Sequence, residues 1–125
     1  MNREIKFRGK RIDNGEWTFG FLVVESNGTS WISRHFHKGE WEQVDPETAG
    51  QFAGLKDKNG KEIWESDTVL AGGINYEVYQ HPSGDWQAGG LSIWEQSGEY
   101  SEENEWEVVG NIFDNPELME NNYEA

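Results

Sequence analysis

The stretch that most constrains this chain is residues 48–69, which is built around a charged turn. At its centre is Asn59-Gly60, the dipeptide that best tolerates the positive φ values of a two-residue type I′ hairpin turn. A short apolar segment approaches this turn, and a β-rich run follows it from Asp67 onward. The stretch therefore predicts a hairpin within an antiparallel β fold.

The N-terminal segment also predicts a hairpin. Ile5 and Phe7 alternate with two cations in the period-two pattern of a half-buried strand, and residues 13–15, Asp-Asn-Gly, predict a turn. The return strand places four apolar side chains on one face: Trp17, Phe19, Phe21 and Val23. With seven Trp, six Phe and four Tyr in the chain, we expect an aromatic-rich core.

The rest of the chain alternates between strand and turn patterns. We predict strands at residues 29–36, 74–78, 86–91 and 106–112, an irregular segment at 38–50, and a mobile, glutamate-rich loop at 95–107. Asp45 is suited to cap a helical turn that begins with Pro46. The predicted fold is mainly β, with N-terminal hairpins, a small antiparallel β-sheet or SH3-like barrel region, and one short C-terminal helical turn at residues 114–119.

Three sequence blocks carry a family resemblance. They are Arg-Glu-Ile-Lys-Phe-Arg at residues 3–8, the central motifs at 45–48, 50–52, 54–63 and 67–69, and residues 108–118 near the C-terminus. In this order they resemble the YopX family, small proteins encoded mainly by bacteriophages and prophages. The resemblance implies one domain over residues 1–125. The order of strand and turn patterns leaves open a division of this domain into N-terminal β hairpins at 1–47 and a barrel-like β region at 48–120. It implies no established activity.

One departure from the family pattern falls at a turn. The family has Glu-Gly-Asp where this chain has Glu65-Ser66-Asp67. If the glycine serves a positive φ, the serine must adopt a backbone conformation that side chains disfavour.

The charge of the chain divides at Lys61. The net charge is −14, and all ten Lys and Arg residues lie at or before this position. From Glu62 onward there are fifteen acidic residues and no Lys or Arg. That half would repel phosphates, which argues against nucleic acid as a partner. The acidity maintains solubility, or it supports contact with a basic partner surface or head-to-tail contact between unlike halves.

The sequence does not indicate catalysis. The chain has no cysteine, which removes disulfides, thiolate catalysis and cysteine-ligated zinc. It contains no Gly-x-Ser-x-Gly elbow and no Gly-x-x-x-x-Gly-Lys-Ser/Thr phosphate loop. We therefore expect a protein that is not an enzyme and needs no cofactor. The N-terminus lacks the pattern of a signal peptide and the longest apolar run is too short to span a bilayer, so we expect a location in the cytoplasm of a bacterial host cell, without membrane contact.

Two clusters near the N-terminus have alternative interpretations. His35 and His37 would point the same way on a strand, as a metal pair requires, but a third ligand would have to come from His81 or an acid. We expect no metal site, and ordinary loop-proximal histidines are the favoured interpretation. The basic residues near the first turn are either a nucleic-acid contact or a solvated hairpin face, and the second is favoured because Glu4, Asp13 and Glu16 interrupt them. They are Arg8, Lys10 and Arg11.

The leading functional hypothesis is a non-enzymatic phage accessory protein. It would be a compact β module that binds a host or phage protein and associates with itself as a homo-oligomer. The alternative is an acidic mimic of nucleic acid that inhibits a host nucleic-acid enzyme or defence system. Asp67 is either a buried acid at a site or an Asx-type acceptor of turn backbone N–H groups. The candidate binding residues are Trp64, Asp67, Glu102, Glu103 and Glu105.

Overall fold

The computed structural model describes residues 5–35, 39–93 and 106–120. Within these residues there are eleven strands and one short α-helix. The strands are β1 (Phe7–Lys10), β2 (Trp17–Val24), β3 (Ser30–Ser33), β4 (Glu42–Val44), β5 (Gly50–Lys56), β6 (Glu62–Trp64), β7 (Asp67–Ala71), β8 (Ile74–Gln80), β9 (Trp86–Ala88), β10 (Leu91–Ser92) and β11 (Glu107–Asn111). The helix α1 is Glu117–Glu120, and one 3-10 turn, Pro46–Thr48, precedes β5.

The chain divides into two compact units, Met1–Phe52 and Ala53–Ala125. In the first unit the hydrogen-bonded strands follow the order β4-β3-β2-β1-β5, and their pairings are antiparallel. β5 begins in the first unit and ends in the second, where β6 is its neighbour. Compactness does not decide whether units fold separately, so the predicted single domain with parts at 1–47 and 48–120 stays a prediction.

The core of the first unit is small. Ile32 and Val44 are fully buried there, and a Cβ added at Gly9 would lie only 2.9 Å from the Val44 Cβ. Val44 belongs to β4, so the prediction that residues 38–50 are irregular is wrong at this strand. The predicted cap is confirmed, because the Asp45 carboxylate accepts a 3.0 Å hydrogen bond from the Glu47 N–H in the 3-10 turn.

The second unit has a larger core beneath a five-stranded sheet of order β10-β9-β8-β7-β11. The buried cluster consists of Ile63, Val69, Val78, Ala88, Ile93, Trp106 and Val108. Trp106 meets Tyr76 edge-to-face, with ring centroids 6.0 Å apart. Among the described residues of the whole chain, the buried apolar side chains are eight aliphatic and three aromatic. Tyr76 and Trp86 also pack partly buried against the cluster of the second unit, whereas Phe19, Phe21 and Tyr79 are exposed.

Three hairpin loops have three residues each and the same hydrogen-bond pattern, at residues 26–28, 58–60 and 82–84. In the middle one, the Asp57 N–H donates to the Lys61 carbonyl at 2.8 Å, and the Gly60 N–H donates to the Asp57 carbonyl at 3.0 Å. Gly60 has a φ of 82°, whereas Asn59 does not have a positive φ. This is a type I turn followed by a left-handed residue. The predicted hairpin is confirmed, but the type I′ assignment at Asn59-Gly60 is wrong.

Two-residue loops with both φ values positive occur at Gly-Gly pairs instead. Gly72-Gly73, with φ of 58° and 81°, joins β7 to β8, and Gly89-Gly90, with φ of 62° and 81°, joins β9 to β10. Glycine suits both positions because a type I′ turn needs positive φ at each of them. The second loop divides the predicted strand 86–91, which is therefore two short strands.

The mainly β prediction is confirmed, and so is the short C-terminal helical turn, which is α1. The strands form two antiparallel sheets, and no barrel closes among the residues that the structure describes. In the described ranges no helix has the length and apolar character needed to cross a membrane.

Ser66 lies in the turn between β6 and β7 with a φ of 70°. Its N–H donates to the Val78 carbonyl at 2.8 Å, and its own carbonyl accepts from the Ile112 N–H at 3.0 Å. Both backbone groups are thus held by distant segments, which fixes the left-handed conformation. The turn does require a positive φ, and a serine occupies it where the family pattern has glycine.

We expect Ser66→Gly to raise the free energy of unfolding by about 0.5–1 kcal/mol. Glycine has no Cβ to strain a left-handed backbone, and this gain exceeds the extra entropy that glycine gives the unfolded chain. Urea denaturation measures the change. Ser66→Ala is the control, because it keeps the Cβ and should give no gain. An equal gain in both variants would contradict the backbone explanation.

Candidate binding face in the N-terminal unit

The structure places two of the predicted site residues inside the second unit. Trp64 is 4% exposed and Asp67 is 2% exposed. The Asp67 carboxylate accepts a 2.8 Å hydrogen bond from the Trp64 N–H, three residues earlier, so it supports the turn between β6 and β7. Their role in binding stays a prediction. Glu102, Glu103 and Glu105 lie outside the described residues.

Asp57 is a buried acid of the signature stretch whose role the sequence analysis missed. Although it is charged, it is only 5% exposed. One carboxylate oxygen accepts from the N–H groups of Asn59 at 2.9 Å and Lys61 at 2.8 Å. The other accepts from the Val108 N–H of β11 at 2.8 Å, across 51 positions of sequence. The carboxylate therefore closes its own hairpin loop and ties that loop to β11.

Part of this role had a signal in the sequence. An aspartate two residues before Asn59 can form an Asx turn, which the bond to the Asn59 N–H now provides. No local pattern indicates the bond to Val108. The charged turn of the signature stretch thus has a structural role.

One face of the first unit's sheet combines cations with aromatic rings. Antiparallel partners project to the same side of a sheet, and residues two apart on a strand share that side. Arg8 of β1 pairs with Phe19 of β2. Val23 of β2 pairs with Trp31 of β3. We call this the cationic–aromatic face, and its members are Lys6, Arg8, Lys10, Trp17, Phe19, Phe21, Val23, Trp31, Ser33, Gln43, Gly50 and Phe52.

The cations of this face lie against its rings. The Arg8 guanidinium carbon lies 4.4 Å from the centroid of the Trp17 ring, and the Lys10 Nζ lies 5.5 Å from the same ring. The Lys6 Nζ lies 4.7 Å from the centroid of the Phe52 ring. A cation over a ring face is attracted by the ring quadrupole, so these contacts hold three positive charges close to the sheet.

An exposed apolar row lies beside these cations on β2. Phe19, Phe21 and Val23 alternate along the strand and are 38%, 48% and 40% exposed. Scattered exposed apolar side chains are common, but a contiguous row on a flat strand is typical of a contact surface. The row and the half-buried Lys6 and Lys10 together form a surface with both apolar area and charge, whereas Arg8 is buried, with 7% of its surface exposed.

No carboxylate occupies the strand positions of this face in the part of the chain that the structure describes. Asp13 and Glu16, which the sequence interpretation took to interrupt the basic cluster, lie in the β1–β2 connection. Glu4 lies outside the described residues. Arg11 donates to both oxygens of Asp13, at 3.0 and 2.6 Å, which lowers the pKa of Asp13 below its ordinary value.

Glu42 of β4 lies on the opposite face, because it pairs with Ile32 and not with Trp31. Its carboxylate accepts a 2.6 Å hydrogen bond from the Thr18 hydroxyl and forms a 2.6 Å ion pair with Arg11. The acid and the base on that side therefore satisfy each other.

The first unit also has a cleft of about 520 Å³. Its lining residues are Arg11, Glu16, Trp17, Thr18, Arg34, His35, Glu40, Trp41 and Glu42. This lining mixes charges of both signs, and Arg11 is already ion-paired, so it selects no single ligand chemistry. Within the described ranges, no group of three metal-ligating side chains is suited to a metal ion. His37, the partner of His35 in the proposed metal pair, lies outside them.

Comparison with known proteins is consistent with this fold. The model of the family described as YopX protein matches residues 6–120, nearly the whole chain. A crystal structure of protein EF1440 from Enterococcus faecalis is similar, with a TM-score of 0.56 and 24% identity over 94% of this chain and 99% of that chain. At this identity the likeness shows the fold alone. Among curated proteins, none matches the chain.

Proposed function

The chain belongs to the YopX family, as its motifs predicted, and we propose that it is a non-enzymatic β module. From the exposed row on β2, we propose that it acts by binding proteins, including further copies of itself. The observation that carries the proposal is the row of Phe19, Phe21 and Val23. Burying such a row against a partner removes apolar area from water, which favours association. In this proposal the protein is a phage-derived accessory factor in the bacterial cytoplasm.

Two features of the face support a protein partner. Phenylalanine and valine side chains supply apolar area that needs no hydrogen-bond partner, as the centre of a protein interface requires. The neighbouring lysines can supply the polar rim of such an interface, where charge mainly sets specificity and association rate. The acidic mimic of nucleic acid stays an alternative, resting on sequence positions such as Glu102 and Glu103.

We expect the full chain to form oligomers at micromolar concentration. The double substitution Phe19→Ser with Phe21→Ser should weaken this association by at least about tenfold, because it removes the centre of the apolar row. Light scattering coupled to size-exclusion chromatography measures the molar mass over a dilution series. The matched control is Ile12→Ser with Val24→Ser, which changes two side chains that are 58% exposed in the same unit but off the face. A monomer at every concentration would refute self-association.

A further inference from the structure

The chain contains three Asn-Gly dipeptides, at residues 14–15, 27–28 and 59–60. An asparagine that precedes glycine is chemically labile, because glycine has no side chain to shield its backbone nitrogen from the neighbouring carboxamide. We propose that Asn59 is a deamidation site of the folded protein, and that its conversion loosens the contact between its hairpin loop and β11.

The reaction needs no partner other than water. The Gly60 backbone nitrogen attacks the side-chain carbonyl carbon of Asn59, and its proton passes to the departing amide nitrogen, so that ammonia leaves as a succinimide ring closes. Water then opens either carbonyl of the ring. One product is aspartate, and the other is isoaspartate, in which the main chain runs through the former side chain. Both products carry a carboxylate where the native chain has a neutral amide.

Two of the three-residue hairpin loops can be compared directly, because they share their length and their closing bonds. The Gly28 N–H donates to the Glu25 carbonyl at 2.8 Å, and the Gly60 N–H donates to the Asp57 carbonyl at 3.0 Å. Both glycines have a positive φ, of 92° and 82°. The attacking nitrogen is therefore held alike in the two loops, and a difference in reactivity has to come from the carboxamide.

The carboxamides of Asn14 and Asn27 are held by the backbone. The Asn27 side-chain oxygen accepts a 3.0 Å hydrogen bond from the Thr29 N–H. The Asn14 side-chain oxygen accepts a 2.9 Å hydrogen bond from the Glu16 N–H. Either side chain must release this bond before it can present its carbonyl carbon to the glycine nitrogen, which adds a cost to the reaction at both positions.

The carboxamide of Asn59 has no such restraint. The equivalent N–H in its loop, that of Lys61, donates instead to the buried Asp57 carboxylate at 2.8 Å. The exposed Asn59 side chain consequently makes no hydrogen bond in the part of the chain that the structure describes. One hydrogen bond fewer has to be broken before the Gly60 nitrogen can attack, which corresponds to a reaction about fivefold faster.

The products act on the bonds of Asp57. One Asp57 oxygen accepts from the N–H groups of residues 59 and 61, and the other accepts from the Val108 N–H of β11 at 2.8 Å. Isoaspartate lengthens the main chain between the first two donors by one methylene, so the two cannot both keep their positions. Aspartate places a second carboxylate in the same small loop, where like charges repel. The contact between the loop and β11 is loosened in either case.

Peptide mapping by mass spectrometry measures the rate at each asparagine in the full chain, incubated in mildly alkaline heavy-oxygen water. In the native chain Asn59 should convert about fivefold faster than Asn27. In concentrated urea both should convert within about twofold of each other, because both precede glycine and only weak charge effects remain. A native rate at Asn27 that equals or exceeds the rate at Asn59, or an unchanged ratio in urea, would overturn the proposal.

Hydrogen exchange at the Val108 N–H measures the structural consequence. Asn59→Asp reproduces one product, and Asn27→Asp makes the same change of charge in the comparison loop. We expect exchange at Val108 to be at least about fivefold faster in Asn59→Asp and in the incubated native chain, and unchanged in Asn27→Asp. Asn59→Gln keeps an amide whose longer side chain closes the ring slowly, so it should retain native exchange after the same incubation. Native exchange at Val108 in Asn59→Asp and in the incubated chain would overturn the inferred loosening.

Discussion

Replacing Asp57 by alanine is expected to lower the free energy of unfolding by about 3–4 kcal/mol, because three backbone donors lose a charged acceptor at once. The N–H groups of Asn59 and Lys61 lie near the surface and can turn to water. The Val108 N–H lies in the buried region between the loop and β11, where no equivalent partner replaces the carboxylate. The hairpin and the strand would then be joined less tightly. Denaturant unfolding monitored by tryptophan fluorescence measures the loss.

Two variants test this explanation. Asp57→Asn keeps the shape but directs an amide donor at one of the backbone donors, so it should be nearly as destabilising as alanine. Asp85→Ala is the control, since Asp85 is half-buried and accepts from the side chains of Ser92 at 3.0 Å and Gln87 at 3.2 Å, whereas the buried Asp57 accepts from backbone N–H groups. It should cost about 1 kcal/mol. Equal losses at the two aspartates would refute a special role for the bonds of Asp57.

Replacing Gly20 by alanine is expected to cost about 3 kcal/mol or more. A Cβ at this position would lie 2.1 Å from the Ser33 carbonyl oxygen and 2.7 Å from its carbonyl carbon, and these are backbone atoms of the neighbouring strand. The φ of 151° adds a backbone conformation that suits glycine. Relief requires β2 and β3 to separate, which would also displace Phe19 and Phe21 on the opposite side of β2. The variant should therefore lose stability and self-association together.

Gly28→Ala measures the cost of a positive φ without a steric clash. Gly28 has a φ of 92° in the loop between β2 and β3, and an added Cβ would meet nothing within 4 Å. Its expected cost is about 1 kcal/mol, from the left-handed backbone alone. Thermal unfolding by circular dichroism compares the two variants. A similar loss at both glycines would mean that the close approach to Ser33 is not the cause.

Local chemistry explains which predictions about the candidate site succeeded. The turn at 58–60 and the cap at Asp45 depend on residues within a few positions of each other, so the sequence contains their cause. The predicted turn type at Asn59-Gly60 was wrong, because the flanking strand pair admits a three-residue loop as well as a two-residue one. The bond from Val108 to Asp57 could not be predicted, because a partner 51 positions away is selected by the fold and not by local pattern.

By itself the sequence determined the family, the β class and the set of residues that share each strand face, because alternation has a fixed period of two. It grouped Trp17, Phe19, Phe21 and Val23 correctly, but their apolar character suggested a core. Only the tertiary structure decided that this side of β2 stays exposed, while Thr18 is 2% exposed on the other side. The physical reason is that alternation assigns residues to faces, whereas burial depends on which distant segments pack against a face. Here the Thr18 hydroxyl donates a hydrogen bond to Glu42, and the Ser33 carbonyl lies close to Gly20. The side of β2 with the smaller residues is therefore the side on which other segments pack.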